Sequence, residues 1–389
     1  MEIEVGVAQL VKEGEIACGD QVEIVRTGDG VIVVLSDGMG SGVKASILAG
    51  LTAKIAATMM KKGASLSQVV DTIVNTLPVC QDLGMAYSTF TIVQMEKTGK
   101  VRVVEYDNPP AFYFSRESQR VFHQDTGTSM LHGKKIFEAE GVLAPGDSLT
   151  LVSDGVVHAG KGNLLSMGWQ WEHVAEYLRQ NAAVQSGLML PRELMTKCHD
   201  LYDGRPADDA TAVTLKYQKA SPLNLLVGPP VSRNEDVPLV KAFLASEGSK
   251  VICGGTAANI VARETGRELV METSSVTDRI PPISRMKGID LITEGVITLD
   301  YTLKTLRNLE RYHLTQNVRQ RLKEKHGAGL LSHFLLQQST SIHLFMGHGA
   351  NEAHRQQSSF ENLNRKYHIV GELVTILKKM GKQVTLTRF

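Results

Sequence analysis

At 389 residues the chain exceeds what one hydrophobic core usually organises, so two domains are expected. Hydrophobic residues at 42% and charged residues at 21% exclude wholesale disorder, and a net charge of +1 excludes a global bias towards nucleic acid or a membrane surface. The total conceals a split: residues 1–220 carry 20 Lys and Arg against 26 Asp and Glu, a charge of −6, whereas residues 221–389 carry 22 against 15, a charge of +7.

The chain opens Met1-Glu2-Ile3-Glu4, with acids where a signal peptide has basic residues, and no apolar run is expected to reach the roughly 18–20 residues that span a bilayer, since the stretch 47–60 is interrupted by Lys54. Cys18, Cys80, Cys198 and Cys253 form no paired spacing, so neither a disulfide framework nor a zinc site is expected. A soluble, cytoplasmic protein is the expectation. Residues 21–26 and 31–35 read as a hairpin around Thr27-Gly28-Asp29-Gly30. Apolar spacing predicts helices over 43–62 and about 66–77, and strands follow over 89–95, 101–106 and 149–152. A helix over 171–180 and a strand over 211–216 complete an α+β first domain. A boundary falls near Gln218-Lys219-Ala220-Ser221-Pro222, which divides the chain into 1–219 and 220–389. Beyond it, strands over 223–227, 250–253, 289–293, 342–346 and 383–387 alternate with helical segments, which predicts an α/β domain with a mostly parallel sheet.

The chemistry is concentrated in the first half. Val31-Ile32-Val33-Val34-Leu35-Ser36-Asp37-Gly38 is echoed by Leu149-Thr150-Leu151-Val152-Ser153-Asp154-Gly155, each an apolar strand running into Ser-Asp-Gly. Asp20 stands before one predicted strand and Asp208-Asp209 before another. Carboxylates gathered at strand ends repel one another and raise one another's pKa, a repulsion that divalent cations cancel. Hard oxygen donors without His or Cys favour Mg²⁺ or Mn²⁺ over zinc. A single Asp-Gly pair is more often turn punctuation, but the repetition at strand ends weighs against that for the set. Met39, Met59, Met60 and Met85 read as core filler.

Gly19-Asp20, Asp37-Gly38-Met39-Gly40-Ser41-Gly42 with Ala45, Ser153-Asp154-Gly155 and Asp208-Asp209-Ala210-Thr211 together resemble the ordered motifs of bacterial stage II sporulation protein E-type phosphatases. These belong to the metal-dependent, type 2C protein phosphatase superfamily, and the resemblance covers about residues 1–218. It implies an α/β/β/α sandwich and hydrolysis of phosphoserine or phosphothreonine by water activated between two Mn²⁺ or Mg²⁺ ions. It also implies that Asp37 bridges the metals with help from the Gly38 carbonyl. Asp20 would serve one metal, Asp154 and Asp208 the other, with Asp209 behind them. Met39 occupies the place where many eukaryotic relatives have a histidine general acid, and no counterpart of their phosphate-binding arginine stands near Asp20. The segment 43–62 corresponds to a helical switch in that family, although a plain core helix explains it equally well. The expected substrate is a phosphorylated bacterial regulator such as an anti-sigma-factor antagonist. The rival expectation is a catalytically weak phosphoprotein-binding or scaffold protein that uses the same fold.

In the second half, Lys250–Asn259 runs from a strand through Gly254-Gly255-Thr256 into a helix, which a capped βα turn explains most simply. Other strands end at Gly228, Glu294-Gly295 and Gly347-His348-Gly349, so a ligand site for a small molecule or anion is expected at Gly254, Gly255, Thr256 and Glu294. His333, His343, His348 and His354 read as core or surface histidines rather than a metal site. The basic stretch Lys304, Arg307, Arg311, Arg319, Arg321, Lys323 and Lys325 reads as a solvated helix face, not a nucleic-acid motif. Expected partners are thus a phosphoprotein, a small ligand and a second copy of the chain, with no membrane.

Overall fold

The structure is a computed structural model that describes all residues except 77–78, 81–84, 87, 125–126, 132–133, 273–279, 312–313 and 350–358. His354 lies outside the described residues, as do the side chains of Cys80, Met85 and Arg311. The chain divides into two compact units, Met1–Lys219 and Ala220–Phe389.

The first unit begins with β1 (Glu2–Leu10), β2 (Gln21–Arg26) and β3 (Gly30–Gly38), followed by helices α1 (Gly42–Lys61) and α2 (Leu66–Thr76). The short pair β4 (Val79–Cys80) and β5 (Met85–Ala86) precedes β6 (Ser88–Glu96), β7 (Lys100–Tyr106), β8 (Phe112–Ser115) and β9 (Arg120–Phe122). Then come β10 (Gly127–Leu131), β11 (Lys134–Val142), β12 (Ser148–Val152), α3 (Asp154–Val157), α4 (Gln170–Asn181), α5 (Leu190–Leu201) and β13 (Ala210–Gln218).

Two antiparallel sheets result, β1-β13-β12-β8-β9 and β10-β11-β7-β6-β3-β2. Their facing side chains form one core, in which Val31, Val33 and Leu35 of β3 meet Leu149 and Leu151 of β12 and Val213 and Leu215 of β13. The alternate residues of β3, Ile32 and Val34, point outwards to Ala53, Ala56 and Ala57 of α1. The strand is therefore apolar throughout because both of its faces are covered, which is why its sequence runs rather than alternates. On the other sheet, α4 and α5 cover the outer face through Val174, Leu178, Leu194 and Met195. Helices thus cover both outer faces, and the expected α/β/β/α sandwich is what the chain forms.

Helix α1 follows from its alanines. Ala45, Ala49, Ala53, Ala56 and Ala57 are buried and let the backbone lie close to the sheet, while Lys54 reaches Glu23 of β2 at 2.6 Å. Val43, Ile47 and Leu51 on its other side are half-exposed. By length and composition this helix could cross a membrane, which corrects the expectation that no segment is long and apolar enough. Its alanine face is packed into the sandwich instead. Strand β1, which the sequence reading passed over, has β13 as its sole sheet partner, with Glu2 opposite Gln218 and Leu10 opposite Ala210.

The second unit contains β14 (Pro222–Val227), α6 (Asp236–Ala245), β15 (Ser249–Cys253), α7 (Gly255–Thr265), β16 (Val270–Glu272), β17 (Ile283–Met286) and β18 (Ile289–Thr293). Helices α8 (Val296–Arg311), α9 (Gln316–Lys323) and α10 (Gly327–His333) lead to β19 (Ser341–Met346), α11 (Ser359–Lys379) and β20 (Gln383–Arg388). One seven-stranded sheet is ordered β16-β17-β18-β15-β14-β19-β20. From β18 to β20 all neighbours are parallel, and only the added β16 and β17 run antiparallel. Among the parallel strands the chain order is third, second, first, fourth, fifth, so the order reverses between β14 and β19. That is the doubly wound arrangement, whose ligand crevices open beyond the carboxyl ends of the strands at the reversal. Helices α6 and α7 pack on one face through Leu239, Phe243, Ala257 and Val261. Leu303, Leu306 and Leu309 of the basic helix α8 are buried, so its charges lie along a solvated side.

Candidate active site

The two Ser-Asp-Gly echoes end neighbouring layers of the sandwich, β3 in one sheet and β12 in the other. Asp37 lies in the last turn of β3, Asp154 opens α3 directly after β12, Asp20 precedes β2 and Asp208 precedes β13. Asp20 is fully buried, Asp37 and Asp208 are partly buried, and Asp154 is exposed. The glycines are required by close approaches. A Cβ on Gly38 would stand 2.4 Å from the Ala45 carbonyl of α1, and one on Gly155 would stand 2.0 Å from the Asp209 carbonyl.

Hydrogen bonds tie the two sheets together at this end. The Ser153 hydroxyl donates to Asp20 Oδ2 at 2.7 Å and accepts from the Thr211 amide at 2.9 Å. Gln9 Nε2 donates to the Asp20 carbonyl and to the Thr211 hydroxyl, both at 3.1 Å. Asp209 is buried and accepts from the amides of Lys12 at 3.0 Å and Gly19 at 2.9 Å, which fixes the segment that carries Asp20. Tyr202 donates to the Gly155 carbonyl at 2.7 Å and so holds the turn behind Asp154.

The electrostatics are those of carboxyl groups held together with little counter-charge. Burial, then the charges of Asp20 and Asp154 and a carboxyl–carboxyl contact with Asp154, push Asp37 up to about 9. Burial raises Asp20 to about 6, with the Ser153 hydroxyl opposing and Asp209 and Asp154 adding to the rise. Asp208 is raised by burial and by Asp154, and the Lys12 charge pulls it back. Asp20 Oδ1 is buried and has no hydrogen-bond partner. Among the described residues, no group of three or more His, Cys, Asp or Glu side chains is gathered closely enough to hold one ion. The acids face one another across the sheets without converging on a single point. Mutual repulsion and an orphaned buried carboxylate oxygen nonetheless fit oxygen-binding divalent cations, since a buried acid normally finds a partner.

The family model described as stage II sporulation protein E (SpoIIE) matches residues 27–218. Residues 27–218 form a PP2C-type phosphatase domain similar to SpoIIE. This phosphatase-domain match begins beyond Asp20, and residues 219–389 lie outside it. A solved structure of the RsbU and RsbW domains of Rv1364c from Mycobacterium tuberculosis is 16% identical with a TM-score of 0.50, covering 62% of this chain and 67% of that one. The PP2C phosphatase domain and a fragment of the regulatory domain of the cell fate determinant SpoIIE from Bacillus subtilis gives 19% identity and a TM-score of 0.48. It covers 56% of this chain and 64% of that one, a little under two thirds of its length. The Mycobacterium tuberculosis serine/threonine phosphatase PstP/Ppp gives 14% identity and a TM-score of 0.40, covering 56% of this chain and all of that one. At 16% identity the first of these likenesses shows the fold alone. No curated protein matches the chain.

Three residues of the phosphatase domain's acidic end escaped the sequence reading: Gln9, Lys12 and Tyr202. Only Ser153 had a signal, because it belongs to the Ser-Asp-Gly echo. In the second unit, Gly254 caps α7 with φ +128°, and its amide donates to the Thr293 carbonyl at 2.9 Å. Gly255 and Thr256 open α7, and Glu294 is exposed, its Oε2 accepting from the Gly295 amide at 2.5 Å. His343 meets the Thr387 hydroxyl at 2.8 Å and His333 is exposed at the end of α10, whereas His348 has a buried Nε2 with no partner.

Proposed function

We propose that residues 1–219 are a metal-dependent serine/threonine protein phosphatase controlled by residues 220–389. The supporting observation is the set of aspartates at one end of the sandwich, in the motif order of the SpoIIE kind, with Asp37 held against Asp154 at a strongly raised pKa. Asp37 and the Gly38 carbonyl would hold both of two Mn²⁺ or Mg²⁺ ions, Asp20 would serve one and Asp154 and Asp208 the other. When bound, such ions lower the pKa of a water and clamp the phosphoryl group for in-line displacement. The chain's own part is to position. Asp209 fixes the Asp20 segment through two amides, Ser153 fixes Asp20 itself, and Gly38 and Gly155 allow the approaches that bring Asp37 and Asp154 together. Asp37, raised to about 9 in the absence of cations, would have to give up its proton to hold one. Met39 offers no proton to the leaving serine or threonine oxygen, so solvent supplies it. Lys12, whose charge already acts on Asp208, would be a basic side chain for substrate phosphate to meet. The substrate class is a phosphorylated bacterial regulatory protein such as an anti-sigma-factor antagonist, and the site of action is the cytoplasm.

Hydrolysis of an aryl phosphate by the full chain, measured in Mn²⁺ and in EDTA, tests the reading against Asp37→Ala and Asp154→Ala. Activity that requires Mn²⁺ and is lost in both variants supports it, and Mn²⁺-dependent activity that survives both overturns the site. The second reading, a catalytically weak phosphoprotein-binding protein, is favoured by the dispersal of the carboxylates. Phosphoprotein capture without turnover in any metal would select it.

A further inference from the structure

We propose that the carboxyl edge of the second unit's sheet, at the ends of β14 and β19, binds the phosphate group of a small molecule through Lys366 and His348. The inference builds on reading residues 220–389 as a ligand-binding unit and is independent of the phosphatase chemistry.

Strands β14 and β19 are parallel neighbours between which the chain order reverses, and their ends run into Gly228-Pro229 and Gly347-His348. The adjoining strand ends carry glycine as well. A Cβ on Gly254 would lie 4.0 Å from the Gly228 amide, and one on Gly295 would lie 3.6 Å from the Gly254 Cα. Bare backbone therefore lines the edge, with α7 beginning beside it, and a ligand can approach the main chain there.

A buried lysine and a half-buried histidine stand at this edge. Lys366 of α11 is 9% exposed, yet its Nζ lies against Gly228, 2.5 Å from where a Cβ would be. It donates a hydrogen bond to the Gly347 carbonyl at 3.1 Å and lies over the face of the Tyr367 ring at 5.2 Å. An ammonium has three N–H donors, and here no described carboxylate takes one. His348 stacks on Tyr367 with ring centroids 4.9 Å apart, and its Nε2 is buried without a partner.

Among the described residues, the charges that act on these groups are basic. Burial, then Arg388 and Lys366, hold His348 below the usual imidazole range, and burial alone brings Lys366 down to about 8. Buried cations are ordinarily paired, because an unpaired one bears its desolvation cost alone. A phosphate supplies the missing charge and enough acceptor oxygens for the spare donors of Lys366, the His348 ring and the α7 end. If the ammonium served only to cap the Gly347 carbonyl, its burial would need no ligand and its removal would simply loosen β19.

The test uses the full chain in EDTA, so that the acidic end of the first unit carries no cation, with inorganic phosphate, pyrophosphate and ADP as probes. Calorimetry and thermal melting are expected to show saturable binding of at least one probe. Lys366→Met is expected to weaken it by roughly tenfold to a hundredfold, and the unliganded variant should melt no lower than the parent, because an uncompensated buried charge has gone. His348→Ala should also weaken binding, and it carries the test should the Lys366 variant fold poorly. Absence of binding by all three probes, or undiminished binding in both variants, overturns the proposal. Because no metal is present, a failure here and a failure of the phosphatase reading are separate results.

Discussion

Replacing Asp37 with asparagine should stabilise the metal-free protein, and by an amount that grows with pH. An acid whose folded pKa is raised releases its proton more readily in the unfolded chain, so stability falls as pH rises from the unfolded pKa towards the folded one. For Asp37 that window runs from 3.8 to about 9. One pKa unit corresponds to about 1.4 kcal/mol, so the carboxyl costs up to about 2 kcal/mol at pH 5 and about 4 kcal/mol at pH 7. Water reaching this partly exposed side chain reduces both figures. Asparagine keeps a donor for Asp154 and carries no charge. For a domain of this size each kcal/mol moves the melting temperature by about 2–4 °C, so Asp37→Asn should melt up to roughly 8–16 °C above the parent in EDTA at pH 7. Thermal melts at the two pH values are the assay. Mn²⁺ should reverse the order, raising the parent's melting temperature while leaving the variant's nearly unchanged. A variant that melts with the parent in EDTA at both pH values, or gains as much from Mn²⁺, would refute the account of repelling carboxylates awaiting cations.

Asp209→Ala leaves the Lys12 and Gly19 amides without their acceptor, and hydrogen bonds to a carboxylate are worth about 1.5–3 kcal/mol each. Urea denaturation should show a loss of roughly 3 kcal/mol or more, and Mn²⁺ affinity should fall because Asp20 loses its fixed segment. Gly38→Ala drives a methyl into the Ala45 carbonyl, and overpacking of this kind costs about 1–3 kcal/mol. The variant should melt lower in EDTA and lose much of its stabilisation by Mn²⁺, measured as the difference between the two melts.

The α+β make-up of the first unit was legible in local patterns, whereas its α/β/β/α layering followed from the family resemblance carried by the aspartate motifs. Strand β3 shows an unbroken apolar run into Asp37-Gly38, β12 repeats it, and the alanines of α1 recur at helical spacing. The strands between Phe112 and Val142 left a weaker mark: β8 and β9 have four and three residues, and β10 and β11 mix exposed and polar positions. Helix α5 was missed although Pro191 stands in its first turn, a place proline favours. In the second unit the glycines at the strand ends were visible, but Lys366 was not. Within Asn364-Arg365-Lys366-Tyr367-His368 it looks like any solvated helix residue, and only the packing of α11 over the end of β19 buries it. His348 was set aside for a similar reason, since its lack of a partner is a property of three dimensions.

The pairing of β1 with β13 has a temporal consequence. During synthesis the first strand emerges with Ile3 and Val5 ready to be buried, but its sole neighbour in the sheet is made about two hundred residues later. At translation rates of about 5–20 residues per second, that edge waits roughly 10–40 s, exposed to wrong pairing. Asp20 and Asp208 flank this late closure, so the acidic end cannot be assembled on any nascent chain that stops short of Ala210. The pairing that seals the sandwich is therefore also the step that brings the last of these aspartates to the acidic end.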